Sequence, residues 1–414
     1  SVVTLGLAIG AVAGMSSVVN TVMLRPLPFA NPDRLVWLEG MSPGSDMPER
    51  FNIGSEFYLH YKENAKTLEG IFAFGGGTST FRTENRVERV PMMWTTNDVY
   101  GTLGIRPQLG RLPVAEDGDD VVLLTDQLWS SWFARDPSVI GKWYFVSDSM
   151  KQVIGVLPKG LNYPSEQTML WVATPILPEN VRPGTAGLGM VARLKEGVSE
   201  EQATAELTRL AKELPTRFGG STTFQRIIDK FQAVPTPLLE SMVGENARRS
   251  LWILLGSVSV VLLIACANVA NLFMVRAESR RRDLTVRRAI GASRTQLVRF
   301  QMAEAFAVAL AGGLLAIVLS AVTLPLFIKP APEGIARLNE AGLGLPTFAA
   351  TFALVLFVSL ACGAIPALRA SSPDLSGLRE GGRGSTGGRQ WGRDLLVVAQ
   401  TALALVLLIG SALL

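Results

Sequence analysis

The chain has 414 residues, of which 48% are hydrophobic and only 18% are charged, and its formal net charge is +4. Soluble proteins carry about a quarter charged residues, so this composition excludes an ordinary soluble protein. One histidine and two cysteines also leave too few ligands for a zinc site built from these residue types.

Five segments contain no charged residue and are long enough to cross a membrane as helices. A bilayer core requires about 20 consecutive apolar residues. The segments are Ser1–Leu24, Leu251–Val275, Ala305–Ile328, Ala341–Leu368 and Leu395–Leu414. The first has neither the charged start nor the cleavage site of a signal peptide, so we expect it to be retained as a helix.

Residues 25–250, between the first two spans, have mixed charge and are expected to fold as a domain of their own. Runs rich in β-branched and aromatic residues, with turn residues between them, predict strands. These runs are Gly70–Phe74, Val87–Met92, Val121–Leu124 and Gln152–Leu157. The cluster Gly75-Gly76-Gly77 is predicted to be a turn rather than a ligand-binding loop.

Helices are predicted between and after these strands, at Asp126–Ala134 and Glu200–Leu214. Ser199 and Gln202 form a capping box at the start of the second helix. Its predicted buried stripe consists of Leu207, Leu210, Ala211 and Leu214. His60, the single histidine, lies in a predicted helix and is interpreted as a structural side chain. Strands alternating with helices predict an α+β domain.

Few polar side chains interrupt the spans. Asn268 and Asn271 lie three residues apart on one face of the second span, and an unpaired amide is costly in lipid. We therefore interpret them as helix-packing residues, with a substrate path as the alternative. Cys266 and Cys362 are interpreted as small packing residues. No Asp, Glu, Lys or Arg lies within a span, which argues against an ion-coupled transporter.

Arginine is concentrated in two of the loops. Residues 276–304 contain eight arginines against three acids, and residues 369–394 contain five against three. Residues 329–340 contain two basic and two acidic residues. The positive-inside rule therefore places the two arginine-rich loops in the cytoplasm and residues 25–250 outside it. We attribute the basic charge to topology and anionic lipid rather than to nucleic acid.

The first arginine-rich loop also has a structural pattern. A short amphipathic helix at the membrane surface is predicted by apolar and basic positions, namely Leu284, Val286, Ile290, Arg287 and Arg288. Gly291 can end this helix, and Ser293 with Gln296 forms a capping box for the next one. That second helix is expected to continue into the third span. The pattern is compatible both with a simple connector and with a docking element.

Several motifs resemble those of FtsX-type ABC transporter permeases of the MacB and lipoprotein-releasing type. In the second span and the loop after it, the similar segments are 261–272, 280–283, 286–292 and 294–297. Other segments resemble motifs of the narrower MacB-like group, and they lie at 8–11, 17–28, 31–35, 103–111, 136–141, 153–158 and 192–199. The resemblance extends over nearly the whole chain.

The resemblance implies a multi-pass permease subunit of the bacterial cytoplasmic (inner) membrane with a large periplasmic domain. It implies that a coupling segment at 276–299 contacts a separate cytoplasmic ABC ATPase. Its candidate residues are Arg280, Arg281, Arg282, Asp283, Arg287, Arg288 and Gly291. The family usually has Glu at the position of Asp283. Because the sequence contains no phosphate-binding loop, ATP is expected to bind the partner, and no cofactor or catalytic residue is assigned.

The implied function is mechanotransmission, in which ATP-driven motion reaches the periplasmic domain for export or extraction of a substrate. The alternative is a non-transporting, FtsX-like regulator of a periplasmic cell-wall hydrolase. Further implied partners are membrane lipid and a periplasmic adaptor or a second permease half. The substrate is not predicted.

The expected organisation places a first transmembrane helix at 1–24 and an extracytoplasmic MacB-like α+β domain at 25–250, with an inserted distal part near Gly110–Pro178. An FtsX-like region with three transmembrane helices follows at 251–368, and a cytoplasmic linker at 369–394. A helix at 395–414 would begin a second half. Such a duplicated arrangement resembles a group of acidobacterial permeases, of which this chain would be a fragment.

Overall fold

The computed structural model describes residues 1–161, 163–185, 187–279, 286, 290, 293–328, 337, 342, 344–370, 398, 400–405 and 408. The chain divides into two units. Ser1–Arg25 together with Glu245–Leu414 forms the first, which we term the helix bundle. Pro26–Gly244 forms the second, which we term the sheet domain.

The chain begins with helix α1 (Val2–Val19), which a π-helical turn at Asn20–Leu24 extends. The sheet domain then contributes seven helices, α2 (Ser55–Asn64), α3 (Asp98–Leu103), α4 (Asp126–Phe133), α5 (Glu200–Ala211), α6 (Leu214–Phe218), α7 (Thr222–Asp229) and α8 (Leu238–Val243).

Eleven strands accompany these helices in the described part of the sheet domain. They are β1 (Leu35–Met41), β2 (Phe51–Asn52), β3 (Leu68–Arg82), β4 (Val87–Thr95), β5 (Leu109–Gly110), β6 (Val121–Leu124), β7 (Trp143–Val146), β8 (Ser149–Val156), β9 (Leu170–Ala173), β10 (Gly189–Leu194) and β11 (Gln232–Pro237). The α+β fold predicted for this region is confirmed.

All the strands belong to one sheet, and part of it closes on itself. The main path runs β11-β1-β10-β3-β4-β9-β6-β8-β5, and β7 pairs with both β3 and β8. The six strands β3, β4, β9, β6, β8 and β7 therefore form a closed ring. One apolar cluster joins the ring to α4 through buried residues including Phe81, Val122, Val146, Val153 and Leu128. We call this part the strand ring.

Local sequence signals place the start of α5 correctly at Glu200, whereas its predicted end at Leu214 lies beyond the observed end at Ala211. The backbone N–H of Ser199 donates to Oε1 of Gln202 at 3.0 Å, and the N–H of Gln202 donates to Oγ of Ser199 at 3.3 Å. The predicted capping box is thus confirmed. The predicted stripe is also buried, at Leu207, Leu210, Ala211 and Leu214. Because α5 continues directly towards α6, the stripe extends beyond the end of α5.

The glycine cluster was expected to be a turn, and this expectation is wrong. Gly75, Gly76 and Gly77 lie within β3, where they pair with Trp94, Met93 and Met92 of β4. A Cβ atom on Gly75 would lie 2.4 Å from the indole of Trp94. At this position glycine therefore makes room for a cross-strand aromatic side chain rather than for a change of chain direction.

His60 lies in α2, as predicted, and its side chain is buried against α6. Its Nδ1 accepts a hydrogen bond from Nη1 of Arg217 at 3.0 Å, and its Nε2 lies 3.3 Å from Oε2 of Glu213. Arg217 also pairs with Glu63 at 2.6 Å. Burial and the neighbouring Arg217 guanidinium lower the pKa of His60, although Glu213 and Glu63 oppose the shift.

The environment of His60 predicts that the folded protein becomes less stable at acidic pH. Since the pKa of His60 is lowered on folding, the unfolded chain binds the proton more readily, so stability declines as pH falls through about 6.5. Thermal unfolding of the full chain, followed by tryptophan fluorescence between pH 7.5 and 5.5, should show this decline. His60→Asn should flatten the slope in that range. An equal slope in the variant would contradict the assignment to His60.

After the sheet domain the chain forms three long helices, α9 (Glu245–Ser279), α10 (Arg294–Ile328) and α11 (Leu345–Ala370). Together with the first helix they provide four segments long and apolar enough to cross a membrane, at Val2–Leu24, Glu245–Arg276, Thr295–Val322 and Leu345–Gly363. These correspond to the first four predicted spans. The fifth, Leu395–Leu414, lies largely outside the described residues, although residues 400–405 are helical.

Candidate functional site: the helix bundle

Small residues allow α1 and α10 to approach each other closely. A Cβ atom on Gly10 would lie 3.4 Å from both Cα and O of Ala316. A Cβ atom on Gly6 would lie 2.8 Å from the side chain of Leu315, and one on Gly312 would lie 3.1 Å from Cβ of Leu5. Close approach of this kind is the usual basis of helix association in lipid. We call this contact the α1–α10 seam.

A hydrogen bond reinforces the seam near its centre. Oγ of Ser320, which is buried, donates to the carbonyl oxygen of Gly10 at 3.3 Å. Towards the other end of α1, Oγ of Ser17 donates to the carbonyl oxygen of Gly342 at 2.9 Å, and Oγ1 of Thr347 lies 3.1 Å from Oγ of Ser17. These hydroxyl groups tie α1 to neighbouring segments without placing a charge in the bundle.

Glycine also permits the contact between α10 and α11. A Cβ atom on Gly313 would lie 2.4 Å from Cγ2 of Val355, and one on Gly363 would lie 2.9 Å from Cβ of Ala305. The helix α10 therefore packs closely against α1 on one side and against α11 on another. Helix α1, in turn, contacts α9, α10 and α11.

The start of α10 follows the sequence prediction. The N–H of Ser293 donates to Oε1 of Gln296 at 2.9 Å, and the N–H of Gln296 donates to Oγ of Ser293 at 3.3 Å. From this capping box the helix runs without interruption to Ile328. Near the same end, Arg276 of α9 lies 3.9 Å from Glu304 of α10. The predicted cap and the long continuous helix are both confirmed.

The candidate coupling residues lie outside the described residues. They are Arg280, Arg281, Arg282, Asp283, Arg287, Arg288 and Gly291. Two apolar positions of the same segment are described, and both are exposed, Val286 at 54% and Ile290 at 81%. The N–H of Ile290 donates to the carbonyl oxygen of Val286 at 3.1 Å, as in a helical turn. The ATPase-coupling role of the segment stays a prediction.

The structure separates the two asparagines that the sequence places on one face. Asn268 is exposed at the surface of the bundle, whereas Asn271 is partly buried. The Oδ1 atom of Asn271 is buried and has no hydrogen-bond partner among the described residues. Within the described bundle, Asn271 thus turns inwards and Asn268 does not. A packing role for Asn268 would require a chain or segment beyond these residues, and it stays a prediction.

The described part of the helix bundle is held together by close packing and by hydroxyl hydrogen bonds. Among the described residues, no three His, Cys, Asp or Glu side chains lie together as they would to hold a metal ion. The α1–α10 seam was not predicted, although small residues recur four apart at Gly6 and Gly10, and at Gly312, Ala316 and Ser320. That spacing is a known signal for helix packing.

Two protein families match the chain. The MacB-like periplasmic core domain family matches residues 1–210, and the FtsX-like permease C-terminal family matches residues 256–375. The first match includes α1 and most of the sheet domain. The second begins within α9 and includes all of α10 and α11.

Curated relatives share about a quarter of their residues with this chain over the aligned regions. The macrolide export ATP-binding/permease protein MacB of Salmonella paratyphi A is 26% identical over 265 residues, which are 63% of this chain and 38% of that protein. The protein of the same name from Neisseria meningitidis serogroup A is 25% identical over 259 residues, 61% of this chain and 38% of that protein. The chain thus matches little more than a third of the length of these relatives.

Solved structures also show similarity. The periplasmic region of MacB from Actinobacillus actinomycetemcomitans has a TM-score of 0.35 and 17% identity, covering 49% of this chain and 88% of that one. A domain of a putative permease from Porphyromonas gingivalis has a TM-score of 0.40 and 17% identity, covering 51% of this chain and 92% of that one.

Proposed function

The chain belongs to the family of permeases with a MacB-like periplasmic core domain and an FtsX-like C-terminal region, and from this premise we propose that it transmits ATP-driven motion across the membrane. In this proposal a separate cytoplasmic ABC ATPase binds and hydrolyses ATP. The helix bundle carries the resulting motion to the periplasmic domain, which acts on a substrate that is exported or extracted.

The observation that carries this proposal is the α1–α10 seam. Helix α10 begins at Arg294, within the arginine-rich loop 276–304, and α1 leads at Arg25 into the sheet domain. Since a Cβ atom on Gly10 would already lie 3.4 Å from the backbone of Ala316, no flexible side chain separates the two helices there. Close-packed contacts of this kind transmit displacement rather than absorbing it. A push on the start of α10 would therefore displace α1.

The arginine-rich segment is the proposed receiver of that push. Its basic side chains would pair with acidic groups on the ATPase, while the exposed Val286 and Ile290 supply apolar contact area. Charged pairs of this kind fix register and orientation between partners. Anionic lipid at the cytoplasmic surface would hold the segment close to the membrane. A periplasmic adaptor or a second permease half completes the proposed assembly.

Charge reversal in the coupling segment tests this function. The double variant Arg287→Glu and Arg288→Glu should lower the affinity of the full-length permease for its copurifying ATPase at least about tenfold, as expected for loss of about 1.4 kcal/mol or more. Stimulation of ATP hydrolysis by the permease should fall with it. Titration of the ATPase against permease in lipid nanodiscs measures both quantities.

The other arginine-rich loop offers a matched control. The variant Arg389→Glu and Arg393→Glu changes the charge by the same amount in a segment that is also predicted to be cytoplasmic. It should leave both affinity and stimulation close to those of the original chain. Unchanged binding and hydrolysis in the Arg287 and Arg288 double variant would refute the coupling role. An equal loss in both double variants would also contradict it, because it would show that the arginines act only through general electrostatic attraction.

A further inference from the structure

The only two cysteines of the chain face each other across two helices of the bundle. Cys266 lies on α9 and Cys362 on α11, and both carry free thiols. Their exposed fractions are 5% and 1%, and both belong to the apolar cluster at the centre of the bundle. Two thiols that meet from different helices can be joined into a disulfide by an oxidant, which is not possible for an isolated packing cysteine.

The geometry of the pair is close. The thiol of Cys362 donates to the carbonyl oxygen of Cys266 with a distance of 3.4 Å between Sγ and O. A disulfide needs two sulfur atoms about 2 Å apart, on Cα atoms less than about 7 Å apart. Because the thiol of Cys362 already lies against the backbone of Cys266, a bond between the two sulfur atoms would join segments of α9 and α11 that are in contact.

We propose that Cys266 and Cys362 form an oxidisable dithiol that closes into a disulfide and ties α9 to α11. The oxidant is a peroxide, either hydrogen peroxide or a lipid hydroperoxide formed in the bilayer. One thiol sulfur attacks the O–O bond and becomes a sulfenic acid, with release of water or of an alcohol. The second thiol then displaces the sulfenic oxygen as water, and the S–S bond forms. The two thiols lose two electrons, which reduce the peroxide.

The order of reaction follows from exposure and bonding. Both residues are nearly fully buried, and we assign the first attack on the peroxide to Cys266, the slightly more exposed residue of the two. Cys362, held at the backbone of Cys266, is then in place to resolve the sulfenic acid. Thiols buried in apolar surroundings react slowly, so a lipid-soluble peroxide should act faster than a water-soluble one at equal concentration. This modification needs no ATPase and does not depend on the proposed function.

The test uses the full-length chain in lipid nanodiscs, with a protease site inserted between residues 329 and 340. Cleavage there separates a fragment containing Cys266 from one containing Cys362. After treatment with cumene hydroperoxide, the cleaved protein should migrate as one band on a non-reducing gel and as two bands after reduction. The expected thiol count by N-ethylmaleimide labelling under denaturing conditions falls from two to none and returns to two with reductant.

Single substitutions provide the controls. Cys266→Ser and Cys362→Ser preserve side-chain size, and each should give two bands under both gel conditions. Two bands from the peroxide-treated original chain would overturn the proposal. So would a loss of labelling that reductant cannot restore, because it would mean separate over-oxidation of the two thiols. Hydrogen peroxide in place of cumene hydroperoxide should give the same single band at a lower rate.

Discussion

Replacing Gly10 with leucine is expected to separate α1 from α10 and to destabilise the helix bundle by about 3 kcal/mol, the upper range for overpacking a tight contact. A side chain at this position would meet the backbone of Ala316 at 3.4 Å from its first carbon atom, and backbone cannot rotate out of the way. The hydrogen bond from Ser320 to the carbonyl oxygen of Gly10 would be strained as well.

The two buried cysteines make this effect measurable in the bundle itself. Because Cys266 and Cys362 are buried, a bulky, water-soluble thiol-reactive fluorophore labels them as the bundle opens and therefore reports its thermal unfolding. Gly14→Leu is the matched control, since it lies one turn further along the same helix and a Cβ atom there would meet nothing within 4 Å. Gly10→Leu should lower the midpoint by several degrees, and Gly14→Leu should not. Equal midpoints would contradict the seam.

Arg193→Met is expected to be the most damaging single change in the sheet domain. Arg193 lies in β10 and is 4% exposed. Its Nε and Nη2 atoms donate to the carbonyl oxygen of Thr102, at 3.0 and 2.6 Å, and Nη1 donates to that of Asn31 at 2.9 Å. Methionine fills much of the same space but leaves the carbonyl oxygen of the buried Thr102 without these donors, while that of Asn31 keeps the N–H of Arg34. The expected decrease in the free energy of unfolding is about 3 kcal/mol, since an unsatisfied buried group costs about 1–3 kcal/mol.

Tryptophan fluorescence suits the measurement, because six of the eight tryptophans lie within Pro26–Gly244. For a domain of this size the loss corresponds to a decrease in the unfolding midpoint of roughly 10 °C. Arg34→Met is the control, because the partly exposed Arg34 pairs with the exposed Glu69 at 2.7 Å, and surface ion pairs contribute up to about 1 kcal/mol. If the two variants unfolded at the same temperature, the stabilising role of the buried Arg193 hydrogen bonds would be refuted.

Local patterns in the sequence were sufficient for much of the fold. The capping boxes at Ser199 and Ser293 need only residues three apart, and both are present in the structure. The four described spans follow from length and the absence of charge. The strand β6 was predicted with its observed ends, Val121–Leu124. In each case the signal and the structure that it specifies lie within a few residues of each other.

Contacts between distant segments were harder to foresee. Whether Gly75 belongs to a turn or a strand depends on Trp94 of a different strand, which composition around Gly75 cannot reveal. In the same way, Asn268 and Asn271 share a helix face by spacing, but their burial depends on which helices pack beside α9. The seam required matching the small residues of α1 with those of α10, about 300 positions later in the chain.

The strand ring has a consequence for any attempt to divide the protein. Its six strands come from two separate stretches, Leu68–Thr95 and Val121–Ala173, and β7 closes the circle by pairing with β3. Residues 121–173, which fall within the insertion predicted near Gly110–Pro178, are therefore not an autonomous module, because excising them would remove β7 from the edge of β3 and β9 from the edge of β4. Transplantation between relatives should succeed only when β3 and β4 are exchanged together with these residues.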